Sequence, residues 1–311
     1  MDFFTHILIG LIIGSSADGS NPNIYIASGI FMSLLPDFDF LMAPLWKRLP
    51  FTGHHGITHT LVFIIAASVL IFGAISFLFV PAESLDTRLL MVIFLAGSSH
   101  LLGDLLGTGG VPLFYPLSEK YYKLNIDLGI NPLLMFFSFT GIILLSFAYL
   151  DILPFADAGS VAMLLGSIFV IYYPSRVALK IREEMAKENK GFVALPTIKP
   201  YRWKFAKRTE TPEAIEIAIK TSMGVETCRI PKDRRDKIER CEDLAYTYWH
   251  PMVQGEMRFF EYPYYKTNCE DGKMEITWNS AEAGKFIEIK VICEEGCLSF
   301  CKLLRGRKTW F

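Results

Sequence analysis

Four long apolar runs constrain this chain more than any other feature of its sequence. They cover residues 59–80, 88–107, 130–150 and 158–179. Each is close to the roughly 20 apolar residues that a helix needs to cross a bilayer. Two shorter apolar segments, 3–17 and 24–42, come first and are interrupted by glycine and by Pro36. We therefore expect an α-helical polytopic membrane bundle of about six membrane helices, with the first two short or re-entrant.

A change of composition near residue 180 divides the chain. Hydrophobic residues make up 51% of the sequence and are concentrated before this point, whereas the charged residues gather after it. Residues 1–180 are accordingly predicted to form a membrane-embedded domain. Residues 181–210 are predicted to be a basic linker at the membrane surface, and residues 211–311 a soluble cytoplasmic domain.

Local patterns in the tail predict an α+β or mostly β domain. Thr211 and Pro212 resemble the start of a helix, which we expect to run to Ser222. Alternating segments at 257–262, 274–278 and 286–292 predict strands, and Asp271-Gly272 predicts a hairpin turn between two of them. Cysteines at positions 293, 297 and 301 lack the spacing of a zinc knuckle, so free thiols are expected in a reducing cytoplasm.

The basic residues predict the orientation of the membrane domain. Lysines and arginines follow the last apolar run directly, from Lys180 to Arg208, which places the tail in the cytoplasm. Counting back, the loops that contain Lys47 and Lys120 also lie inside. No cleavable signal peptide is recognised at the start of the sequence. A net charge of −1 offers no electrostatic case for a nucleic-acid partner.

This topology brings polar residues from separate segments to one cytoplasmic end of the bundle. The set comprises His6, Asp37, Asp39, His54, His55, His59, His100 and Asp104. Ionisable residues at membrane depth are expensive and are usually functional. A single histidine can serve simply by hydrogen-bonding a neighbouring backbone carbonyl, but the convergence of several groups favours a metal site.

The spacing and types of these residues indicate a divalent metal. His55 and His59 are four residues apart, as are His100 and Asp104, so each pair would share one face of a helix. Imidazole and carboxylate together suit zinc, or manganese or another transition metal. The candidates exceed what one tetrahedral zinc requires, so two or three ions are also compatible with the set.

Three ordered motifs resemble the YdjM/DUF457 family, whose members are described as predicted membrane-bound metal-dependent hydrolases. They are Leu34-Leu35-Pro36-Asp37-Phe38-Asp39, His54-His55-Gly56-Ile57-Thr58-His59-Thr60, and His100-Leu101-Leu102-Gly103-Asp104, with Thr108, Gly109 and Pro116 downstream. His6 followed by Gly10 also matches. The family usually has arginine where this chain has His55. The resemblance therefore implies His54 and His59 as ligands, whereas helical spacing favours His55 with His59.

The resemblance implies a membrane hydrolase that acts at the cytoplasmic face. We expect catalytic roles for His54, His55, Thr58 and Asp104. Metal ligation is expected from His6, Asp37, Asp39, His54, His59, His100 and Asp104, and substrate contacts from His55 and Thr108. A more remote similarity to zinc-dependent phospholipase C and P1-type nucleases suggests a lipid or lipid-linked phosphoester as substrate.

Two other functions share these features. A metal-ion or proton-coupled transporter would also place histidine and aspartate within the membrane. It would need polar residues along the whole path, yet the outer halves of the apolar runs are nearly free of ionisable groups. The second alternative is a non-enzymatic membrane anchor that carries a regulatory or interaction domain in its tail.

Overall fold

The structure is a computed structural model that describes most of the chain. The described residues are 1–17, 22–39, 55–79, 87–153, 157–221, 224–233, 241–250, 253–254, 257, 261–270, 273–282, 284–294, 297–304 and 307–310. The chain divides into two compact units, Met1–Val177 and Ala178–Phe311. Each unit is described by itself.

Six helices form where the sequence predicts membrane segments. They are α1 (Phe3–Ser15), α2 (Pro22–Leu34), α3 (Leu61–Phe79), α4 (Thr87–Leu106), α5 (Pro132–Tyr149) and α6 (Ala158–Met185). The last four are long and apolar enough to cross a membrane, whereas α1 is a shorter apolar helix. Many of their large apolar side chains are exposed, among them Phe77, Phe136 and Val170. Such surfaces suit contact with lipid, so the predicted helical bundle is confirmed.

Glycines allow α1 and α2 to pack in direct backbone contact. A Cβ atom added at Gly14 would lie 2.6 Å from the Cα atom of Ile26, and one at Gly10 would lie 2.6 Å from the carbonyl oxygen of Gly29. Small residues at such crossings let membrane helices approach closely. The close pair brings His6 on α1 near the residues that follow α2.

Two caps define where helices of the first unit begin. The Asp2 carboxylate accepts a hydrogen bond of 3.1 Å from the Thr5 amide at the start of α1. Asn131 caps α5 in the same way, with Pro132 as the first helical residue. The Asp2 carboxylate is thus engaged with the first turn of its own helix through both the amide and the hydroxyl of Thr5.

The loop between α4 and α5, residues 107–131, folds back over the end of α4. The Leu124 amide donates to the Leu105 carbonyl at 2.8 Å, and Val111 pairs with Tyr122 in an isolated antiparallel bridge. The Leu61 amide at the start of α3 donates to the Leu113 carbonyl at 3.0 Å. These bonds hold the loop against the ends of two membrane helices.

The second unit is mostly β, as predicted. One antiparallel sheet contains β1 (Val193–Pro196), β2 (Trp203–Glu210), β3 (Ala214–Thr221) and β4 (Gly224–Pro231) in that order. A second contains β5 (Pro263–Glu270), β6 (Lys273–Ser280), β7 (Gly284–Glu294), β8 (Cys297–Leu304) and β9 (Arg307–Trp310). Both sheets and a 3-10 helix, Cys241–Trp249, share one core with Trp278 at 0% exposure.

Several local expectations for the tail are corrected. The helix predicted from Thr211 to Ser222 is wrong, because Ala214–Thr221 is a strand whose isoleucines alternate with polar residues. The Thr211 hydroxyl accepts from the Ala214 amide at 3.0 Å, so it closes a turn instead of capping a helix. Of the strand predicted at 257–262, residues 258–260 lie outside the described residues, and residues 257, 261 and 262 are not in a strand, since β5 begins at Pro263. Strands β1 and β2 occupy parts of the predicted 181–210 linker.

Other expectations for the tail hold. The strands predicted at 274–278 and 286–292 lie within β6 and β7, and β5 pairs antiparallel with β6, while the predicted turn residues 271–272 lie outside the described residues. Cys293 is a buried free thiol, as expected, while the side chains of residues 297 and 301 lie outside the described residues. Cys269, in contrast, is disulfide-bonded.

We predict that Gly14→Ala destabilises the membrane unit, because the new methyl group would meet the Ile26 backbone and force α1 away from α2. Overpacking of this kind costs about 1–3 kcal/mol. The measurement is the thermal unfolding midpoint of detergent-purified protein. Gly73→Ala in α3 is the matched control, since a Cβ there meets nothing within 4 Å. Equal midpoints for the two variants would contradict the described helix contact.

Candidate metal centre

Four chain segments deliver polar side chains to one end of the helical unit. His6 lies on the first turn of α1, and Asp37 lies in a 3-10 turn, residues 35–39, after α2. His59 ends the short 3-10 helix Ile57–His59 before α3, and His100 and Asp104 occupy the last turns of α4. His54 lies outside the described residues.

Asp37, His59, His100 and Asp104 form a group that could hold a metal ion. Each offers one ligand atom, and the four atoms lie within 4.8 Å of one another. His100 Nε2 is 3.2 Å from His59 Nε2 and 3.2 Å from Asp104 Oδ2. His59 Nε2 lies 3.3 Å from Asp104 Oδ2. Asp37 Oδ1 lies 3.5 Å from His59 Nε2 and 3.7 Å from His100 Nε2.

These separations match the size of a tetrahedral zinc site. Zinc–nitrogen and zinc–oxygen bonds of about 2.0–2.1 Å place neighbouring ligand atoms about 3.3 Å apart in a tetrahedron. Three of the five measured separations lie within 0.1 Å of this value, and the two that involve Asp37 are longer. The arrangement is therefore of the size that one bound ion requires.

Hydrogen bonds behind the rings turn both histidines toward the centre of the group. The Ser33 carbonyl can only accept, so His100 Nδ1 donates to it at 2.6 Å and Nε2 keeps its lone pair in the neutral ring. His59 Nδ1 lies 3.0 Å from the Thr58 hydroxyl, which in turn lies 3.4 Å from Asp39 Oδ2. Metal-binding histidines commonly have such partners on the second ring nitrogen.

Asp39 lies behind His59 and not among the four converging atoms. Its Oδ2 atom is 3.6 Å from His59 Nδ1 and accepts a hydrogen bond of 3.1 Å from the His55 amide. The carboxylate is buried, with 2% exposure. Asp39 therefore orients the His59 ring and the turn that carries it, while Asp37 faces the centre.

His55 borders the group from a turn. Its backbone has a positive φ of 59°, so the expectation that His55 and His59 share a helical face is wrong. The ring still stacks on His59 with 4.7 Å between centroids. Its Nδ1 donates to the Gly110 carbonyl at 2.8 Å, and its Nε2 lies 3.8 Å from Asp104 Oδ2. A Cβ at Gly109 would lie 2.9 Å from this ring, so the glycine leaves room for it.

Asp104 is surrounded by potential positive charge on both carboxylate oxygens. Oδ2 faces His59 and His100, while Oδ1 contacts the Met1 amine and lies 3.4 Å from His6 Nε2. The His6 ring stacks on His100 at 3.8 Å between centroids. His6 Nε2 and Asp104 Oδ2 are buried and make no hydrogen bond to the residues that the structure describes. Buried polar atoms left in this way call for an explanation, and a cation supplies one.

The pKa shifts of His59 and Asp37, which lie outside the membrane-spanning helices, agree with this geometry. Burial would lower the pKa of the His59 imidazole, but the Asp104 and Asp37 carboxylates outweigh burial and raise that pKa to about 9. Burial would raise the pKa of the Asp37 carboxyl, but His59 and then His100 hold it below its ordinary value. The centre therefore keeps its carboxylates ionised and attracts positive charge.

The two threonines singled out by sequence have different surroundings. Thr58 is buried and contacts both His59 and Asp39, as described above. Thr108 is also buried, just beyond the end of α4, and precedes the glycine that makes room for the His55 ring. Within the described part of the chain, no hydrogen bond joins the Thr108 side chain to the metal-binding group.

A second buried polar network lies between the α4–α5 loop and α6, and the sequence analysis did not predict it. Asp127 accepts from the Asn131 amide group at 2.8 Å and from the Tyr172 hydroxyl at 2.7 Å. Arg176, only 1% exposed, donates to the Ile126 carbonyl at 2.8 Å. The network ties the loop before α5 to α6. An arginine within the last apolar helix was the available signal, since such residues rarely lie there without a partner.

Comparison with known proteins links the helical unit to a bacterial membrane family. The sequence model of the YdjM inner membrane protein family matches residues 1–181. The chain is 25% identical to the uncharacterized protein YfhP of Bacillus subtilis (strain 168) over 226 residues, which cover 67% of this chain and 65% of YfhP. It is 32% identical to inner membrane protein YdjM of Escherichia coli (strain K12) over 105 residues.

The extent of these matches is limited. The YdjM match covers 31% of this chain and 51% of the Escherichia coli protein, and the Shigella flexneri YdjM match has the same values. The chain thus spans less than two thirds of YfhP and about half of YdjM. No solved structure matches the chain.

We predict that metal content depends on the four converging residues. A double variant with His59→Ala and Asp104→Ala should lose stoichiometric transition metal, because it removes one imidazole and the central carboxylate. Elemental mass spectrometry of detergent-purified protein measures the loss. A paired His250→Ala, Asp157→Ala variant makes the same chemical changes away from the group and should keep its metal. Equal metal content in the two proteins, or none in the unaltered protein, would contradict the site.

Proposed function

The chain belongs to the YdjM inner membrane protein family, and on that premise we propose that it is a membrane-bound metal-dependent hydrolase. Its substrate would be a lipid or lipid-linked phosphoester at the cytoplasmic face. The observation that carries the proposal is the group of Asp37, His59, His100 and Asp104, three of them buried, whose separations fit one divalent ion. The membrane location of the group supports a substrate that is itself held in the bilayer.

The residues present fit zinc or manganese as the resident ion. His59, His100, Asp37 and Asp104 would hold it, and His6 would complete the outer part of the site. When bound, such an ion polarises a phosphoryl oxygen and lowers the pKa of a coordinated water toward neutrality. Thr58 and Asp39 orient the His59 ring, and the Ser33 carbonyl orients the His100 ring.

Access of water and substrate would come from the side of Asp37. Its side chain is 21% exposed, whereas those of His59, His100 and Asp104 are at most 1% exposed. Four protein ligands fill a tetrahedral zinc site, and a catalytic site keeps one position open. Asp37 has the longest separations in the group, so it is the ligand best placed to share its position with water, or the ion takes a larger coordination number.

His55 is suited to contact a substrate phosphate next to the ion. Its side chain is 18% exposed and its Nε2 atom points toward the Asp104 side of the centre. Its Nδ1 atom is committed to the Gly110 carbonyl, so the ring is held in place. In this role His55 would replace the arginine that the family usually has there. Because Nδ1 donates to Gly110, the ring donates from Nε2 only in its protonated form, and that form would supply a preorganised donor to the charge that develops on a transferred phosphoryl group.

Transport is supported less well than hydrolysis. Helices α3 and α5 contain no Asp, Glu, His, Lys or Arg, although each is long enough to span the membrane. A path for ions through the far half of the bundle would need polar groups there. The polar residues gather instead at one end, which suits a site open to one side.

We predict that the metal-loaded protein hydrolyses phosphoesters and that His55 acts on the substrate. His55→Ala should keep its metal but lose about 100-fold in kcat/KM, the cost of removing one donor to a developing charge. His55→Arg, which installs the residue usual in the family, should retain most activity. The assay is phosphate or headgroup release from phospholipids, lipid-linked phosphates and generic phosphoesters.

Two results would overturn these assignments. Absence of hydrolysis across the screen by fully metal-loaded protein would contradict the hydrolase. Loss of metal in His55→Ala would identify His55 as a ligand and would remove its proposed role at the substrate. Asp37→Asn tests the exposed ligand separately. It should lower the affinity for metal without abolishing binding, because the three buried ligands remain.

We predict a cytoplasmic location for the C-terminal unit. The basic residues that follow the last span favour this side, whereas the disulfide at Cys269 is uncommon in a reducing compartment. Alkaline phosphatase fused after Phe311 should be inactive, and the same enzyme fused after Asp157 should be active. The reverse pattern would place the site on the opposite face of the membrane.

A further inference from the structure

The loop between α4 and α5 exposes apolar side chains at its tip. Leu117 is 88% exposed, Phe114 is 43% exposed and Leu124 is 46% exposed. The tip is nevertheless folded, because the Ser118 amide donates to the Phe114 carbonyl at 3.1 Å and Tyr115 to Pro112 at 3.0 Å. A structured turn that presents apolar side chains outward usually marks a contact with a partner or a membrane.

Basic and aromatic side chains surround these apolar residues. The Lys120 ammonium lies 5.2 Å from the centroid of the Tyr122 ring, and Phe114 meets the same ring edge-on at 5.3 Å. Tyr115, Tyr121 and Lys123 complete the segment. Tyrosines and lysines with adjacent apolar residues are typical of the boundary between bilayer and water.

The position of the loop places this tip at the same boundary. Leu113 bonds to the first residue of α3, and Leu124 bonds to Leu105 in the last turn of α4. Both helices are long and apolar enough to span a membrane, so their ends mark where the hydrocarbon region stops. The loop is therefore anchored at the ends of two helices that could span the membrane.

The same loop touches the candidate metal centre. Gly110, just before it, accepts the hydrogen bond from His55, and Gly109 packs against the His55 ring. The backbone that leads into the loop is therefore in direct contact with His55.

We propose that residues 112–124 form an interfacial loop that binds anionic lipid and presents a lipid headgroup to the metal centre. Leu117, Phe114 and Leu124 contact the acyl chains, and Lys120 and Lys123 contact the phosphate. The contact with lipid stands on the loop itself, while delivery to the centre rests on the proposed hydrolase function. A lipid is favoured over a protein partner because the loop is bonded to the ends of two helices that could span the membrane, and its exposed side chains are apolar, aromatic and basic.

The experiment measures the depth of the loop in a bilayer. Full-length Leu117→Cys is labelled with a fluorophore and reconstituted in nanodiscs that contain nitroxide-labelled lipid. Glu213→Cys, labelled in the same way, is the control, since its exposed side chain lies on the β2–β3 turn of the other unit. Labelled unaltered protein supplies the background from native cysteines.

Quenching at position 117 should exceed that at position 213 several-fold, and it should be stronger with anionic than with zwitterionic lipid. Lys120→Ala should reduce the difference in quenching at position 117 between anionic and zwitterionic lipid. Equal quenching at the two positions would overturn the proposal. The readout does not depend on hydrolysis, so a protein without hydrolase activity but with strong quenching at 117 would retain the loop's lipid contact and lose only the proposed hydrolase.

A second variant tests delivery to the centre. Leu117→Asp should raise the KM for a phospholipid several-fold and leave the KM for a water-soluble phosphoester, as well as the metal content, unchanged. A uniform loss on both substrates would indicate damage to the centre and would contradict a specific role in lipid delivery.

Discussion

The buried carboxylate of Asp104 is the constraint on which the helical unit depends. A carboxylate with 2% exposure is costly in an apolar bundle unless positive charge or hydrogen-bond donors surround it. The groups that meet this demand come from α1, from the turn before α3 and from α4 itself. Contacts to the Asp104 carboxylate therefore hold together segments that are far apart in sequence. The same segments supply the residues of the candidate metal centre.

Much of the helical unit could be predicted because its signals are long and local. Twenty consecutive apolar residues need no tertiary context to indicate a membrane helix. Convergence of His59, His100 and Asp104 followed from topology, since alternate helix ends must lie on one side. The secondary structure of the tail was harder to predict. Thr211 and Pro212 resemble the start of a helix, but Ile215, Ile217 and Ile219 recur at every second position, and the segment forms a strand.

The finer structure of the site could not be predicted, because it depends on side-chain directions and on backbone groups. Asp37 and Asp39 are separated by one residue, and only the fold shows that one faces the centre while the other supports the His59 ring. The carbonyls of Ser33 and Gly110 orient His100 and His55, and a backbone carbonyl carries no signal in the sequence. The prediction that His55 and His59 share a helical face was wrong for a related reason, because the positive φ of His55 places it outside a helix.

The short hairpin of α1 and α2 gives the site a dependence on the bilayer itself. Each helix has 13 residues, which is about 20 Å at 1.5 Å per residue, beside spans that suit a hydrocarbon core of about 30 Å. The bilayer beside a short apolar helix thins locally. Because α1 carries His6 and the end of α2 leads to Asp37, a change in bilayer thickness would act on the two segments that bring these residues to the candidate metal centre.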